Sequence, residues 1–114
     1  MQLDERMVGD VAIVTVTGEM TLKQSRGTLL HDKVRSLAQQ GHRKVLVDLA
    51  AVSFVDSAGL GELVQASSTV KNHGGALKLA SPTSRLREML VLTRLTSVLG
   101  VYDDEAQAIA SFGA

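Results

Sequence analysis

Short aliphatic runs alternate with helix-length amphipathic stretches, and this alternation narrows the available folds more than any other feature of the chain. Val11-Ala12-Ile13-Val14-Thr15-Val16-Thr17 is rich in β-branched residues and reads as a strand. Lys44-Val45-Leu46-Val47-Asp48-Leu49 has a strongly apolar centre, which suits a central strand covered on both faces. Ala76-Leu77-Lys78-Leu79-Ala80 is a third run of the same kind. Between the runs, apolar residues recur at spacings of three and four, the helical pattern.

The segment Thr21-Leu22-Lys23-Gln24 has the spacing of a capping box and predicts a helix running to about Gln40. Leu30, Val34, Leu37 and Ala38 share one face of that helix, and Gly41 is placed to end it. A second helix is predicted from near Ala58, with Leu60, Leu63, Val64 and Ser67 inward, ending near Asn72-His73-Gly74-Gly75. Ser81-Pro82 reads as a cap followed by proline at the first position of a third helix, whose buried face is Leu86, Met89 and Leu90. Val101-Tyr102 reads as an edge strand, and Asp103 as the cap of a last helix carrying Ala106, Ile109 and Ala110. At the other end, a strand within residues 2–7 and the Gly9-Asp10 turn predict an antiparallel hairpin with the first run, and Gly18-Glu19-Met20 breaks the strand pattern after it. The fold class is therefore α/β, a mixed four- to five-stranded sheet with an N-terminal antiparallel hairpin, right-handed β-α-β crossovers and about four helices. With no repeat or linker to divide it, the chain reads as one domain over residues 1–114.

Composition excludes several functions. Twelve basic and twelve acidic residues cancel, so no global field favours nucleic acid or anionic lipid. Aromatics at 3% give no base-stacking platform. The absence of cysteine rules out disulfides and thiolate metal sites. No apolar run approaches the ~20 residues needed to span a bilayer, and the charged N-terminal residues lack a signal core, so a cytoplasmic location without membrane insertion is the default.

Catalytic motifs are missing as well. His31, His42 and His73 are scattered, without a second ligand at metal spacing. There is no Gly-Lys-Ser/Thr phosphate loop, no dinucleotide fingerprint and no Gly-x-Ser-x-Gly elbow. The acidic run Asp103-Asp104-Glu105 fits a helix start as well as a metal. The expectation is a non-enzyme that needs no cofactor.

The informative stretch is Val52-Ser53-Phe54-Val55-Asp56-Ser57-Ala58-Gly59-Leu60-Gly61, which joins a buried strand to a helix. Ser57 falls at or next to the N-cap, where a phosphate is stabilised by the helix terminus. Asp-Ser is also an ordinary capping pair, and a phosphoacceptor can itself be a cap.

The chain resembles STAS domains, and more specifically bacterial anti-sigma factor antagonists. The residues that carry the resemblance are Val47-Asp48-Leu49, Val52-Ser53-Phe54 and above all Asp56-Ser57-Ala58-Gly59-Leu60-Gly61, with Gly18-Glu19-Met20, Gly74-Gly75 and Ser81-Pro82 in support. The resemblance implies that the unphosphorylated chain binds an anti-sigma factor that is often a serine kinase, and so frees a sigma factor. Ser57 is then the phosphorylated residue, and Thr21, Asp56, Ala58, Gly59, Leu60 and Gly61 border the docking surface with it. ATP and magnesium belong to the kinase, a metal-dependent serine phosphatase reverses the modification, and a second copy of the chain remains among the candidate partners. One departure is Thr21, where many members carry an acidic residue. That threonine also suits the capping box, and Lys23 nearby changes the local charge. Two other functions compete: a constitutive STAS docking subunit of a lipid-transport ABC complex, and a nucleotide- or lipid-binding sensor.

Overall fold

The computed structural model describes residues 1–21 and 29–113. Five strands lie in one sheet in chain order: β1 (Gln2–Val8), β2 (Val11–Met20), β3 (Lys44–Val55), β4 (Ala76–Ala80) and β5 (Gly100–Tyr102). β1 and β2 form the antiparallel hairpin, and every later neighbour pair is parallel. Helices α1 (Leu29–Gln39), α2 (Ser57–Asn72) and α3 (Ser84–Leu92) connect successive parallel strands, and α4 (Glu105–Ser111) follows β5.

Strands laid down in chain order with crossovers of one hand return their helices to the same face. Val14, Val16, Val47, Leu49 and Leu79 of the sheet accordingly meet Leu30, Val34, Leu37, Leu63, Val70, Leu86 and Leu90 in one core. Val11, Ile13, Leu46 and Ala80 point to the other face, where they pack with Ala108 of α4. Period-two alternation puts both sets on the same strands. Each fully buried aliphatic side chain contributes about 1.5–3 kcal/mol, so the three-helix face supplies most of the stability.

The smaller face is held by polar contacts. Lys78 Nζ donates to the backbone oxygen and to Oγ of Ser111, at 2.8 Å each, and lies 4.6 Å from the centre of the Phe112 ring. A cation at the C-terminal end of α4 suits the helix dipole. Across the sheet, Arg6 of β1 pairs with Glu105 at the start of α4, beside Asp48 of β3. Burial pushes the Asp48 carboxyl up, and Glu105 adds to the rise against the pull of the Ala50 N–H and Arg6. Glu105 is held down by Asp48 and Arg6. A carboxyl raised in the folded state favours folding below its unfolded range, and that advantage is lost as pH rises through the folded range. Asp48→Asn therefore stabilises the fold near neutral pH and raises its melting temperature, by no more than about 1 kcal/mol in free energy because the site is partly solvated. The gain shrinks as the pH is lowered into the carboxyl range, and paired melting curves at the two pH values check it.

Several expected boundaries move. β2 does not stop at Gly18 but continues through it to Met20, with register irregularities on either side of Gly18, whose φ is +100°. β3 likewise runs past Leu49 to Val55, because Gly18, Glu19 and Met20 pair with Val52, Phe54 and Val55. The third helix begins at Ser84 with Thr83 as its cap, accepting from the Leu86 N–H at 3.3 Å, so Ser81 and Pro82 belong to the preceding loop. Asp104 rather than Asp103 caps α4, accepting from the Gln107 N–H at 2.8 Å, while Asp103 pairs with Arg87. In α4 the buried residue is Ala108, with Ile109 half-buried and Ala106 and Ala110 exposed. In α2, Ala66 and Val70 take the inner positions, and Val64 and Ser67 are half-buried. Leu22, Lys23 and Gln24 of the expected capping box lie outside the described residues.

Candidate functional site

β2 and β3 run on together past Asp48, the last residue of β3 that pairs with β4. Their ends, Met20 and Val55, are partners, and the chain turns from Val55 into α2 through Asp56. Asp56 has extended backbone and is the N-cap, its Oδ1 accepting from the Gly59 N–H at 2.9 Å. Its own N–H donates to the Met20 carbonyl at 3.2 Å, which ties the start of α2 to the end of β2. Ser57 is the first helical residue and is exposed. Because Asp56 makes the capping bond, the Ser57 side chain stands outside the cap.

Gly59 permits this junction. A Cβ there would overlap the Met20 carbonyl oxygen and come within 2.9 Å of Val55 Cγ1. A Cβ on Gly61 would meet nothing within 4 Å. Two glycines in one motif thus do different work, one seating the helix against β2 and one leaving open surface.

The structure gathers the expected site residues at one corner and divides them by depth. Ser57 is exposed, while Thr21, Asp56, Ala58 and Gly61 are half-buried. Gly59 and Leu60 are buried, so any part they have in docking is through the backbone they position. Thr21 follows Met20 directly, which puts the departure from the acidic pattern beside the Asp56–Ser57 corner. The first turn of α2 holds no acidic residue, and the positive end of a sixteen-residue helix favours added negative charge there.

Two residues near the corner have surroundings that the sequence did not show: Phe54, quoted only as part of the motif stretch, and Glu62, not singled out at all. Phe54 is 42% exposed at the end of β3, an uncommon position for one of the two phenylalanines in the chain. Glu62, one turn after Ala58, is 1% exposed and lies between α2 and α1. Its Oε1 accepts from the Leu30 N–H at 2.9 Å and the His31 N–H at 3.4 Å, so it caps α1 from a neighbouring helix. The available signal was its place among the inward residues Gly59, Leu63 and Ala66. Glu62→Leu removes the side-chain acceptor of the buried Leu30 N–H and the part-buried His31 N–H and costs about 1–3 kcal/mol, whereas Glu62→Gln keeps an acceptor and costs less. Urea unfolding of the two variants measures the difference.

His31 and His73 have local partners. His31 Nε2 lies 2.7 Å from Thr69 Oγ1, and His73 Nδ1 lies 2.8 Å from the Thr69 carbonyl. No three His, Cys, Asp or Glu side chains converge among the described residues. None of the described helices is long and apolar enough to cross a membrane.

Comparison with known proteins places this geometry in a family. The STAS domain family matches residues 2–108. The anti-sigma-B factor antagonist of Bacillus subtilis is 33% identical over 88 residues, which cover 77% of this chain and 78% of that protein. A Thermotoga maritima protein provisionally described as an anti-sigma factor antagonist has a crystal structure that superposes with a TM-score of 0.88 at 25% identity, covering 98% of this chain and 95% of that one. The phosphorylated form of the Bacillus cell-fate determinant SpoIIAA shares the fold, with a TM-score of 0.72 at 19% identity, covering 96% of this chain and 98% of that one. The family match spans residues 2–108, from the hairpin through the sheet and the Asp56-Ser57 helix start into α4, and the chain belongs to the STAS domain family.

Proposed function

We propose that this chain is an anti-sigma factor antagonist, a protein-binding switch controlled by phosphorylation of Ser57. The observation that carries the reading is the division of labour at the start of α2. Asp56 caps the helix, and Ser57 stands exposed at its first position. The 33% identical Bacillus relative named anti-sigma-B factor antagonist supports the choice of partner class.

In this reading the unphosphorylated corner docks on an anti-sigma factor that is also a serine kinase, and the sigma factor is released. The kinase, with its own ATP and magnesium, transfers the γ-phosphoryl group to Ser57 Oγ. The new O–P bond replaces the bond to ADP, and the hydroxyl proton is lost to the kinase's base. About −1.5 to −2 charges then sit where the docked surface had been neutral, and the complex dissociates. A metal-dependent serine phosphatase hydrolyses the ester and resets the switch. The chain supplies an acceptor and a surface, not a catalyst, and ATP-dependent partners place the encounter in the cytoplasm.

The test is phosphorylation by the serine-kinase anti-sigma factor of the same organism, followed by peptide mapping. Wild type takes one phosphate at Ser57, and Ser57→Ala still binds the kinase but takes none. Equal phosphate uptake by Ser57→Ala sinks the assignment.

A further inference from the structure

β1 is an edge strand, exposed along its length except for half-buried Leu3. Its hairpin turn has two residues, Gly9 and Asp10, with Gly9 at φ +58°, the arrangement of a type II′ loop. In such a hairpin the flanking pair, Val8 and Val11, exchanges both backbone hydrogen bonds, and the bonding alternates along the ladder. Residues 8, 6, 4 and 2 therefore bond to β2, while Leu3, Glu5 and Met7 turn their N–H and C=O groups to the open edge. Leu3-Asp4-Glu5-Arg6-Met7 is also complementary to its own reverse about Glu5, with Leu3 against Met7 and Asp4 against Arg6.

We propose that the β1 edge is a homodimer interface, in which two copies pair antiparallel about a two-fold axis at Glu5 and join their sheets. The outward-facing backbone groups fall where this register needs them, at the Leu3–Met7 and Glu5–Glu5 pairs. Asp4 and Arg6 of the second copy then form a non-hydrogen-bonded pair, the kind in which side chains stand closest. Asp4 makes no ion pair among the described residues, so its carboxylate is available. Arg6 already holds Glu105, but its guanidinium is half exposed and has further donors.

The two Glu5 side chains meet near the axis, and each is neutralised by its own Lys33 at 2.6 Å. A groove of about 450 Å³ lined by Leu3, Leu29, Asp32 and Lys33 runs beside the strand. Met7 of the second copy lies opposite Leu3, in position to enter it, and Met7 is 46% exposed in the single chain. Charges on an edge strand commonly block pairing with other copies. Here they match under the two-fold instead of opposing.

Sedimentation of the purified chain over a concentration series tests the proposal, with amide hydrogen exchange on the same samples. The wild type approaches twice its 12.1 kDa mass as concentration rises. Over the same range, exchange slows at the Leu3, Glu5 and Met7 amides. Asp4→Arg sets two arginines against each other at two symmetry-related places, and Met7→Lys puts a charge in the groove. Each variant weakens dimerisation by at least about tenfold while melting like wild type, since neither side chain is buried in the single chain. A wild type that stays at single-chain mass to its solubility limit overturns the proposal. So does a dimer that neither variant weakens, or one in which those three amides exchange as fast as in the monomer.

Discussion

Gly59→Ala lowers the unfolding free energy by about 2–3 kcal/mol, while Gly61→Ala, two residues along the same helix, leaves it unchanged or raises it by up to about 1 kcal/mol. The contrast comes from what each new methyl group meets. At position 59 it overlaps the Met20 carbonyl oxygen and crowds Val55 Cγ1. Backbone oxygen cannot swing aside as a flexible side chain can, so β2 and α2 must separate. That separation breaks the bond from the Asp56 N–H to Met20 and disturbs the cap from Asp56 to Gly59. At position 61 the methyl group meets open space, and alanine is the better helix former. Denaturant melts of the two variants, fitted with a common slope, give the difference directly. If Gly59→Ala lies within about 1 kcal/mol of wild type, the close seating of α2 on the end of β2 is wrong.

The second large effect concerns binding. Ser57→Asp weakens the complex with the anti-sigma partner by about 30- to 100-fold, equivalent to about 2–3 kcal/mol. Fold stability changes little, because Ser57 is exposed and a carboxylate at the first position of α2 is favourable to the helix dipole. The loss therefore lies in the interface: a charge is brought against a docked surface that had none there. Ser57→Ala removes only the hydroxyl and keeps most of the affinity. Titration calorimetry with the partner separates the two variants, and melting curves show that both are folded. Equal binding by Ser57→Asp and wild type places the docking surface elsewhere.

Much of this was legible from the chain, and the misses share a cause. The β-branched run at 11–17 and the apolar 44–49 marked the two central strands, because each is apolar on both faces. The extensions through Gly18-Glu19-Met20 and through residues 50–55 were not legible, since Gly18, Glu19, Ala50, Ala51 and Ser53 interrupt the β-branched pattern. They are strands because each supplies the other's ladder, a tertiary pairing that overrides local preference. The helix caps moved by one or two residues for a related reason. Ser81, Pro82 and Thr83 all suit a helix start, as do Asp103 and Asp104, and only the hydrogen bond made in the fold chooses among them.

At the candidate site, Asp56-Ser57 and its helix were legible, and the family resemblance had already put Thr21 beside them. The separate duties of Gly59 and Gly61 were not, because nothing in the sequence distinguishes two glycines in one motif. Glu62 was passed over despite its inward position, because a glutamate on a helix normally points to water and the amides that it caps lie 32 and 31 residues earlier.

The central claim is that Ser57 is a phosphoacceptor in use. The most direct measurement is intact mass with peptide mapping of the protein isolated from its native cells, under phosphatase inhibition, across growth and stress conditions. The prediction is a population carrying a single phosphate, mapped to Ser57, whose fraction changes with condition. Complete absence of phosphate on Ser57 under every condition contradicts it and leaves a constitutively docked STAS subunit in place of a switch.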